Sequence, residues 1–349
     1  MYEESIKLLK RYHNQRFFRD AVLCVFDKDK VLECRFFGQA DQDTWFDLAS
    51  LTKIYTSLAA FRMIEENKFS LENTIDILLP QVSAYPVLKE RFRKITIYQL
   101  MTHTSGILSW YPFYTQSEDF FPALNRILDQ NAPVTGMNYS DINFMLMGKI
   151  IEDRSDMSLQ EAMLNYNVTG RNEAEWMPQG SKRSHAFPEK KIAISSYGNT
   201  IEEEMCRERG LCFKGFRDSR IPIIGEANDG NCWYYFRGVS GHAGLFATIT
   251  SLTRMGQLFL QTDSPLYIRA TRDLISGRGL GFEADEKFPC GCGHSGFTGT
   301  GLWICRKYNL GVALLANRLA FPNQKTVPDM VKVRKELFLS ILGERQKYV

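Results

Sequence analysis

The chain has 349 residues, with 43 Lys and Arg against 40 Asp and Glu, so its formal net charge is +3. Hydrophobic residues make up 44% and charged residues 24%, a composition typical of a globular protein that buries a large core without disulfides. The near balance of charge gives no electrostatic reason to expect a nucleic acid or an acidic membrane as partner. No apolar run approaches the roughly 20 residues that a membrane span needs.

The first ten residues carry acidic side chains before basic ones and contain no apolar core segment, so they do not resemble a secretory signal. A chain that begins at Met1 is therefore expected in the cytoplasm. A periplasmic or extracellular location would require a natural N-terminus that has been trimmed.

Eight cysteines are present in a chain with no secretory signal, which favours reduced thiols that act as small apolar residues. The alternative is a metal site around Cys290 and Cys292. Their one-residue spacer differs from that of the usual zinc knuckle, and no His pair stands at ligand spacing. We therefore expect no metal and no cofactor.

Apolar periodicity and turn signals divide most of the chain into helices and strands. In chain order, the sequence predicts a helix over 6–16, strands at Ala21–Phe26 and Val31–Phe37, a helix over Ala49–Glu66, a helix after the capping box Thr96–Gln99, helices over Ser140–Asp153 and Thr250–Leu260, strands at Gly301–Arg306 and Leu310–Asn317, and a closing helix over Pro328–Leu342. Residues 169–238 are richer in charge, Gly and Pro, and predict long loops with short helices.

Strands and helices thus lie at both ends of the chain, with a largely helical middle. The simplest arrangement pairs the terminal strands in one sheet. We expect an α/β (α+β) fold, in which an antiparallel sheet is flanked by terminal helices and a mainly helical domain is inserted. The expected sheet domain is discontinuous, residues 1–70 and 240–349, and the helical domain is 71–239.

The most informative segment is Ser50-Leu51-Thr52-Lys53, near the start of a predicted helix. Its spacing places the Ser hydroxyl and the Lys amine on the same helix face, one turn apart. A Ser hydroxyl becomes a good nucleophile when a neighbour removes its proton, and a Lys amine can do so when its pKa is lowered. Alone, the motif also fits a helix-capping Ser50 and a solvated Lys53.

A second motif, Tyr139-Ser140-Asp141, precedes another predicted helix. A phenol beside an amine can relay a proton between a nucleophile and a leaving group. The alternative is a Tyr packed at a helix start, with Ser140 or Asp141 as its cap.

A third motif, His294-Ser295-Gly296, leads through Phe297 into a predicted strand. A small residue followed by Gly lets a substrate backbone lie along an exposed strand edge, and the next amide can point at an oxyanion. The alternative for His294 is a partly buried structural histidine.

Together the three motifs resemble the serine β-lactamase-related and penicillin-binding protein family, which includes class C β-lactamases, D-alanyl-D-alanine carboxypeptidases and esterase-like serine hydrolases. The segments Thr102–Ile107 and Ser240–Phe246 also resemble this family. The resemblance implies that Ser50 is the nucleophile and Lys53 the general base or one member of a coupled pair. It further implies that Tyr139 protonates the leaving group, and that the amides of Ser50 and Phe297 form the oxyanion hole.

The substrate-binding residues implied by the resemblance are Asp141, His294, Ser295, Gly296 and Phe297. Two of them depart from the β-lactamase pattern: Asp141 stands where Asn is usual, and His294 where Lys is usual. An ionised Asp141 cannot donate a hydrogen bond, but it can hold Lys53 charged or receive a cationic group of the substrate. His294 exchanges a permanent charge for one that depends on pH, and it would bind a substrate carboxylate only when protonated.

These features predict a serine hydrolase that acts on small amides or esters through a covalent acyl-enzyme, most like a D-alanyl-D-alanine carboxypeptidase. Its expected partner is a small molecule or a short D-amino-acid peptide. Two alternative functions within the same family stay open, a carboxylesterase and a cytoplasmic muropeptide amidase. A non-catalytic β-lactam-binding sensor is the alternative from another class of protein. The sequence selects no oligomeric state.

Overall fold

The computed structural model describes residues 1–169, 174–176, 191–324 and 326–347. Its helices are α1 Glu3–Asn14, α2 Thr52–Glu65, α3 Ile75–Leu78, α4 Pro86–Phe92, α5 Ile97–Met101, α6 Phe120–Gln130, α7 Asp141–Ser155, α8 Leu159–Asn165, α9 Thr200–Glu208, α10 Ile249–Gln261, α11 Pro265–Ala270 and α12 Met330–Gln346. Its strands are β1 Ala21–Phe26, β2 Val31–Phe37, β3 Phe46–Asp47, β4 Ala174–Trp176, β5 Ser196–Tyr197, β6 Pro222–Ile223, β7 Leu245–Ala247, β8 Cys292–Ser295, β9 Gly301–Cys305 and β10 Leu310–Ala316.

The main sheet has the order β2-β1-β10-β9-β8, and every neighbouring pair is antiparallel. Strand β1 pairs with β10 from Ala21 opposite Ala316 to Phe26 opposite Gly311, which joins the two ends of the chain. Two smaller sheets, β3-β7-β4 and β5-β6, lie outside it. The fold is therefore mixed α/β with an antiparallel sheet, as predicted.

The two faces of the main sheet bury different elements, because successive side chains of a strand point to opposite sides. On one face, Leu23 and Val25 of β1 share a cluster with α1 and α12. On the other, Val22 and Phe26 share the larger cluster that contains α2, α7 and α10. Terminal helices flank the sheet as expected, whereas the division into two domains stays a prediction.

The predicted strands Ala21–Phe26 and Val31–Phe37 match the structure, and the long helices that were predicted differ by a few residues at their ends. Helix α6 was not predicted. The capping box at Thr96 is present, with the Thr96 side chain accepting from the amide of Gln99. Part of the stretch 169–238, predicted as loops and short helices, lies outside the described residues. Its described part contains the helix α9 and short strands.

Candidate active site

Ser50 follows strand β3 and lies in a short 3-10 turn, Ala49–Leu51, that leads into α2. The turn is tight: Ala49 adopts φ 47°, a left-handed conformation that is unfavourable for a residue with a side chain. The buried carboxylate of Asp47 holds the turn, because one oxygen accepts from the amide of Ala49 at 2.8 Å and the other from the amide of Asn228 at 2.7 Å. Burial raises the pKa of Asp47 to about 6, against the lowering effect of these two amides.

Lys53 is fully buried on α2, and its ammonium group makes two hydrogen bonds and one ion pair. Its Nζ lies 2.9 Å from Ser50 Oγ, 3.0 Å from the backbone oxygen of His242 and 2.8 Å from Asp141 Oδ1. Burial acts to lower the pKa of Lys53, but the neighbouring Asp141 carboxylate outweighs it, and the pKa lies above the usual lysine value. Lys53 is therefore an ammonium ion in the resting enzyme.

Tyr139 approaches the same hydroxyl from the start of α7, with its OH 2.9 Å from Ser50 Oγ. Burial raises the pKa of Tyr139 to about 12, although the positive charge of Lys53 acts to lower it, so the phenol is protonated at neutral pH. His103 fixes the approach: its ring lies 4.6 Å from that of Tyr139, and its Nδ1 accepts from the amide of Ser140 at 3.0 Å.

The turn between β8 and β9 is fastened to the segment that carries Ser50. The hydroxyl of Thr298 donates to the carbonyl of Asp47 at 2.8 Å, and that of Thr300 to the carbonyl of Leu48 at 3.0 Å. Gly296 belongs to the same packing, since a Cβ there would lie 2.6 Å from the carbonyl oxygen of Leu48. These contacts hold the third motif beside Ser50.

Phe297 and Ser295 in this turn are held from outside it. The guanidinium of Arg318 donates to the backbone oxygen of Phe297 at 2.6 Å and lies over the Phe297 ring. Ser295 donates through its hydroxyl to Glu283 Oε1 at 2.8 Å. The backbone of the turn is thereby fixed while the Phe297 side chain stays 42% exposed.

A cleft with a cavity volume of about 370 Å³ opens above Ser50, large enough for a small amide or ester. Predicted site residues that line it are Ser50, Tyr139, Asp141, Ser295, Gly296 and Phe297. Lys53 lies beneath its floor, within hydrogen-bond distance of Ser50. The structure thus brings together most of the residues that the sequence selected.

His294, predicted as a substrate-binding residue, lies at the end of β8 beside the cleft. Its side chain is buried at 1% exposure, and it is absent from the residues that line the cleft. Burial lowers the pKa of His294 to about 4, although the Glu283 carboxylate acts to raise it. The imidazole of His294 thus lies behind the cleft wall and is neutral at neutral pH.

Sequence reasoning missed three features of the site. The carbonyl of His242 binds Lys53, and the His242 ring is locked between Asp229 Oδ1 at 2.9 Å and Ser240 Oγ at 2.7 Å. Arg278 and Arg318 also line the cleft. Only the Ser240–Phe246 segment gave a signal for any of them, since both arginines come from stretches with no recognisable motif.

The chain as a whole is similar to known proteins. A family model described as Beta-lactamase matches residues 6–332. The N-acetylmuramyl-L-alanine amidase of Bacillus subtilis (strain 168) is 27% identical over 321 residues, covering 80% of this chain and 69% of that protein. A putative D-alanyl-D-alanine carboxypeptidase of Salmonella paratyphi A (strain ATCC 9150 / SARB42) is 25% identical over 331 residues, covering 84% of this chain and 74% of that protein.

Among solved structures, a class C β-lactamase from Rhodobacter sphaeroides superposes with a TM-score of 0.68 at 17% identity, covering 97% of this chain and 99% of that one. Fold and family match together define a serine hydrolase. The chain belongs to the beta-lactamase family. Within the described residues, no helix is both long and apolar enough to cross a bilayer.

Proposed function

We propose that the protein hydrolyses small amides through an acyl-enzyme on Ser50, as a carboxypeptidase of the D-alanyl-D-alanine type. The observation that carries this proposal is the placement of Lys53 Nζ and Tyr139 OH, each 2.9 Å from Ser50 Oγ, at a cleft of substrate size. A nucleophile within hydrogen-bond distance of two proton carriers is the arrangement that acyl transfer requires.

The proton of Ser50 needs an acceptor, and Lys53 is already charged. Asp141 lies 2.8 Å from Lys53 Nζ. As the Ser50 oxygen bonds to the substrate carbonyl carbon, its proton moves to Lys53 while Lys53 passes one of its own to Asp141. When the C–N bond breaks, Tyr139 gives its proton to the departing amine and regains one through Lys53 from Asp141. The three groups then return to their resting charges, and water hydrolyses the ester by the reverse path.

In this proposal, the backbone amides of Ser50 and Phe297 stabilise the negative charge that develops on the substrate oxygen. Rigid donors are effective because they need no reorganisation during the reaction. The Thr298 and Thr300 tethers and the Arg318 bond to Phe297 support this assignment, because they fix the Phe297 backbone relative to Ser50.

An amidase acting between N-acetylmuramic acid and L-alanine is the second candidate, supported by the name of the Bacillus subtilis relative. A carboxypeptidase and this amidase perform the same bond chemistry on different acyl groups. Side-by-side turnover of D-alanyl-D-alanine peptides and N-acetylmuramyl-L-alanine distinguishes them.

The test of the proposed function is Ser50→Ala. Wild type is expected to turn over one of these amides and to be labelled by a fluorescent phosphonate, while the variant loses both, because no other oxygen replaces Oγ. The exposed Ser117→Ala is the matched control and keeps both properties. Turnover that survives in Ser50→Ala contradicts the proposal, and a stoichiometric burst with no steady state would indicate a sensor instead.

A further inference from the structure

Two cysteines face each other across the first hairpin of the main sheet. In the antiparallel pair β1–β2, Cys24 lies directly opposite Cys34, and both are free thiols. Directly opposite residues of an antiparallel pair have Cα atoms about 4.5 or 5.5 Å apart, according to their place in the hydrogen-bond pattern. Both values lie within the range of about 4.4–6.8 Å that a disulfide can bridge.

The two thiols lie on the same side of the sheet but differ in their access to solvent. Cys24 belongs to the core cluster that contains α2 and α10, and Cys34 packs against that cluster. Cys24 is 3% exposed, whereas Cys34 is half-buried on β2, which forms one edge of the sheet within the described residues. A small reagent from solvent therefore reaches Cys34 before Cys24.

The acidities of the two thiols differ in the same sense. The hydrogen bond with the Cys24 thiol lowers the pKa of Cys34, and the positive charge of Arg35 adds to this effect against that of burial. Arg35 is held beside Cys34, because its Nη1 donates to the Cys34 carbonyl at 2.8 Å. The same thiol–thiol hydrogen bond, together with burial, raises the pKa of Cys24. Since the thiolate is the reactive form, Cys34 is the thiol that attacks.

The other cysteines lack this arrangement. Cys24 and Cys34 are the one pair of cysteines that the strand register of the described residues places opposite each other. Cys292 lies opposite Ile304, and the thiol of Cys305 donates to the backbone oxygen of Cys290 at 2.8 Å.

We propose that Cys24 and Cys34 form a redox modification site, at which a low-molecular-weight disulfide is reduced and a cross-strand disulfide joins β1 to β2. The Cys34 thiolate attacks one sulfur of the small disulfide, the S–S bond of that molecule breaks, and one small thiolate leaves. Cys24 then attacks the Cys34 sulfur, its proton goes to the second departing thiolate, and the protein disulfide forms. Two protein thiols are oxidised for each small disulfide that is reduced to two thiols.

This chemistry is independent of the Ser50 site, because neither cysteine lines the cleft. Its structural consequence is a covalent link between the edge strand β2 and its neighbour β1. A cross-link of this kind limits the unfolded chain and is therefore expected to raise the melting temperature by a few degrees.

The test uses oxidised glutathione as the small disulfide. Wild type is incubated with it, the remaining thiols are blocked with N-ethylmaleimide, and tryptic peptides are analysed by mass spectrometry. Trypsin cleaves between the two cysteines at Lys28 and Lys30, so each cysteine falls in its own peptide, 20–28 or 31–35. We expect the two peptides to be joined after oxidation and to separate again after treatment with dithiothreitol.

Single variants separate the two steps. Cys24→Ala is expected to stop at a stable mixed disulfide between glutathione and Cys34, because the second thiol is missing. Cys34→Ser is expected to leave Cys24 unmodified, because Cys24 is buried in the core. The exposed Cys212→Ser is the matched control and forms the joined peptides as wild type does. Melting temperatures of the reduced proteins show that each variant is folded.

In wild type, Cys34 is expected to react roughly 10-fold faster than the exposed Cys212, because its thiolate fraction is larger. A rate at Cys34 no higher than that at Cys212 would overturn the proposal. So would folded wild type in which glutathione stays on Cys34 and the two peptides are never joined.

Discussion

At the scale of single residues, burial decides which charges the site carries. Lys53 and His294 are both buried, yet Lys53 is charged because Asp141 lies 2.8 Å away. His294 has a weaker partner in Glu283, 3.5 Å from Nδ1, which already serves Lys287 and Ser295. Desolvation therefore prevails at His294 and pairing prevails at Lys53.

The neutral state of His294 predicts a loss of stability in acid. Its pKa is about 4 in the folded protein, against the usual value of roughly 6.5 in an unfolded chain. As pH falls from 6.5 to 4, the unfolded imidazole binds a proton that the folded one refuses, so about 3 kcal/mol of unfolding free energy is lost. Below pH 4 both states bind the proton and this loss stops.

Urea unfolding of wild type and His294→Gln at pH 7 and pH 4.5 measures this effect. The variant is expected to lose less stability between the two pH values than wild type does. Between pH 5 and pH 8, the pH profile of kcat/KM should be the same in wild type and in the variant, because His294 does not change its charge in this range. An identical pH dependence of stability in the two proteins would show that folding does not shift the pKa of His294.

At the scale of elements, the site depends on one short turn bound to another. The β8–β9 turn and the Ser50 turn come from distant parts of the chain, and hydroxyl-to-carbonyl hydrogen bonds join them. Gly296 lies where they meet, because a Cβ there would come within 2.6 Å of the Leu48 oxygen and would also collide with the Thr300 hydroxyl. The proposed oxyanion hole therefore depends on the absence of a side chain at this position.

We expect Gly296→Ala to lower kcat by roughly 10- to 100-fold, because the turn must move away from Ser50 and takes the Phe297 amide with it. Overpacking should also cost about 1–3 kcal/mol of stability. Steady-state kinetics and thermal unfolding measure the two effects. Gly343→Ala is the control: no atom lies near its Cβ, and in the helix α12 it should stabilise by about 0.5–1 kcal/mol. If Gly296→Ala kept the wild-type kcat, the close packing of the β8–β9 turn against the Ser50 turn would not be needed for activity.

At the scale of the whole molecule, the ends of the chain support the site. Helix α12 covers one face of the main sheet, and Phe338 stacks on Trp303 of β9 with ring centroids 5.3 Å apart. Strand β9 begins directly after the turn that carries Phe297. Loss of packing under the sheet should therefore reach the active site.

Phe338→Ala removes a fully buried ring and is expected to cost about 3–5 kcal/mol of unfolding free energy. Because α12, β9 and the turn pack together, thermal inactivation should shift to lower temperature in step with the loss of helical ellipticity. The neighbouring Leu339→Ala is the control, since that side chain is 49% exposed. Activity lost well below the unfolding transition would show that the site melts independently of the sheet.

The local patterns of the sequence determined the predicted helices and strands of this protein and its candidate active-site residues. The apolar run Ala21–Phe26 and the capping box at Thr96 are set by neighbours in the chain, so the structure reproduces them. The spacing of Ser50 and Lys53 likewise determines that the two side chains share one helix face. Family resemblance followed from such short segments.

Only the tertiary structure decided the charges and the partners. Asp141 and Lys53 are far apart in sequence. The charge of a buried group depends on its desolvation and on the groups that the fold brings against it. No local pattern reports either quantity. For that reason the sequence left the charge of His294 open, whereas the fold buries that histidine as a neutral group.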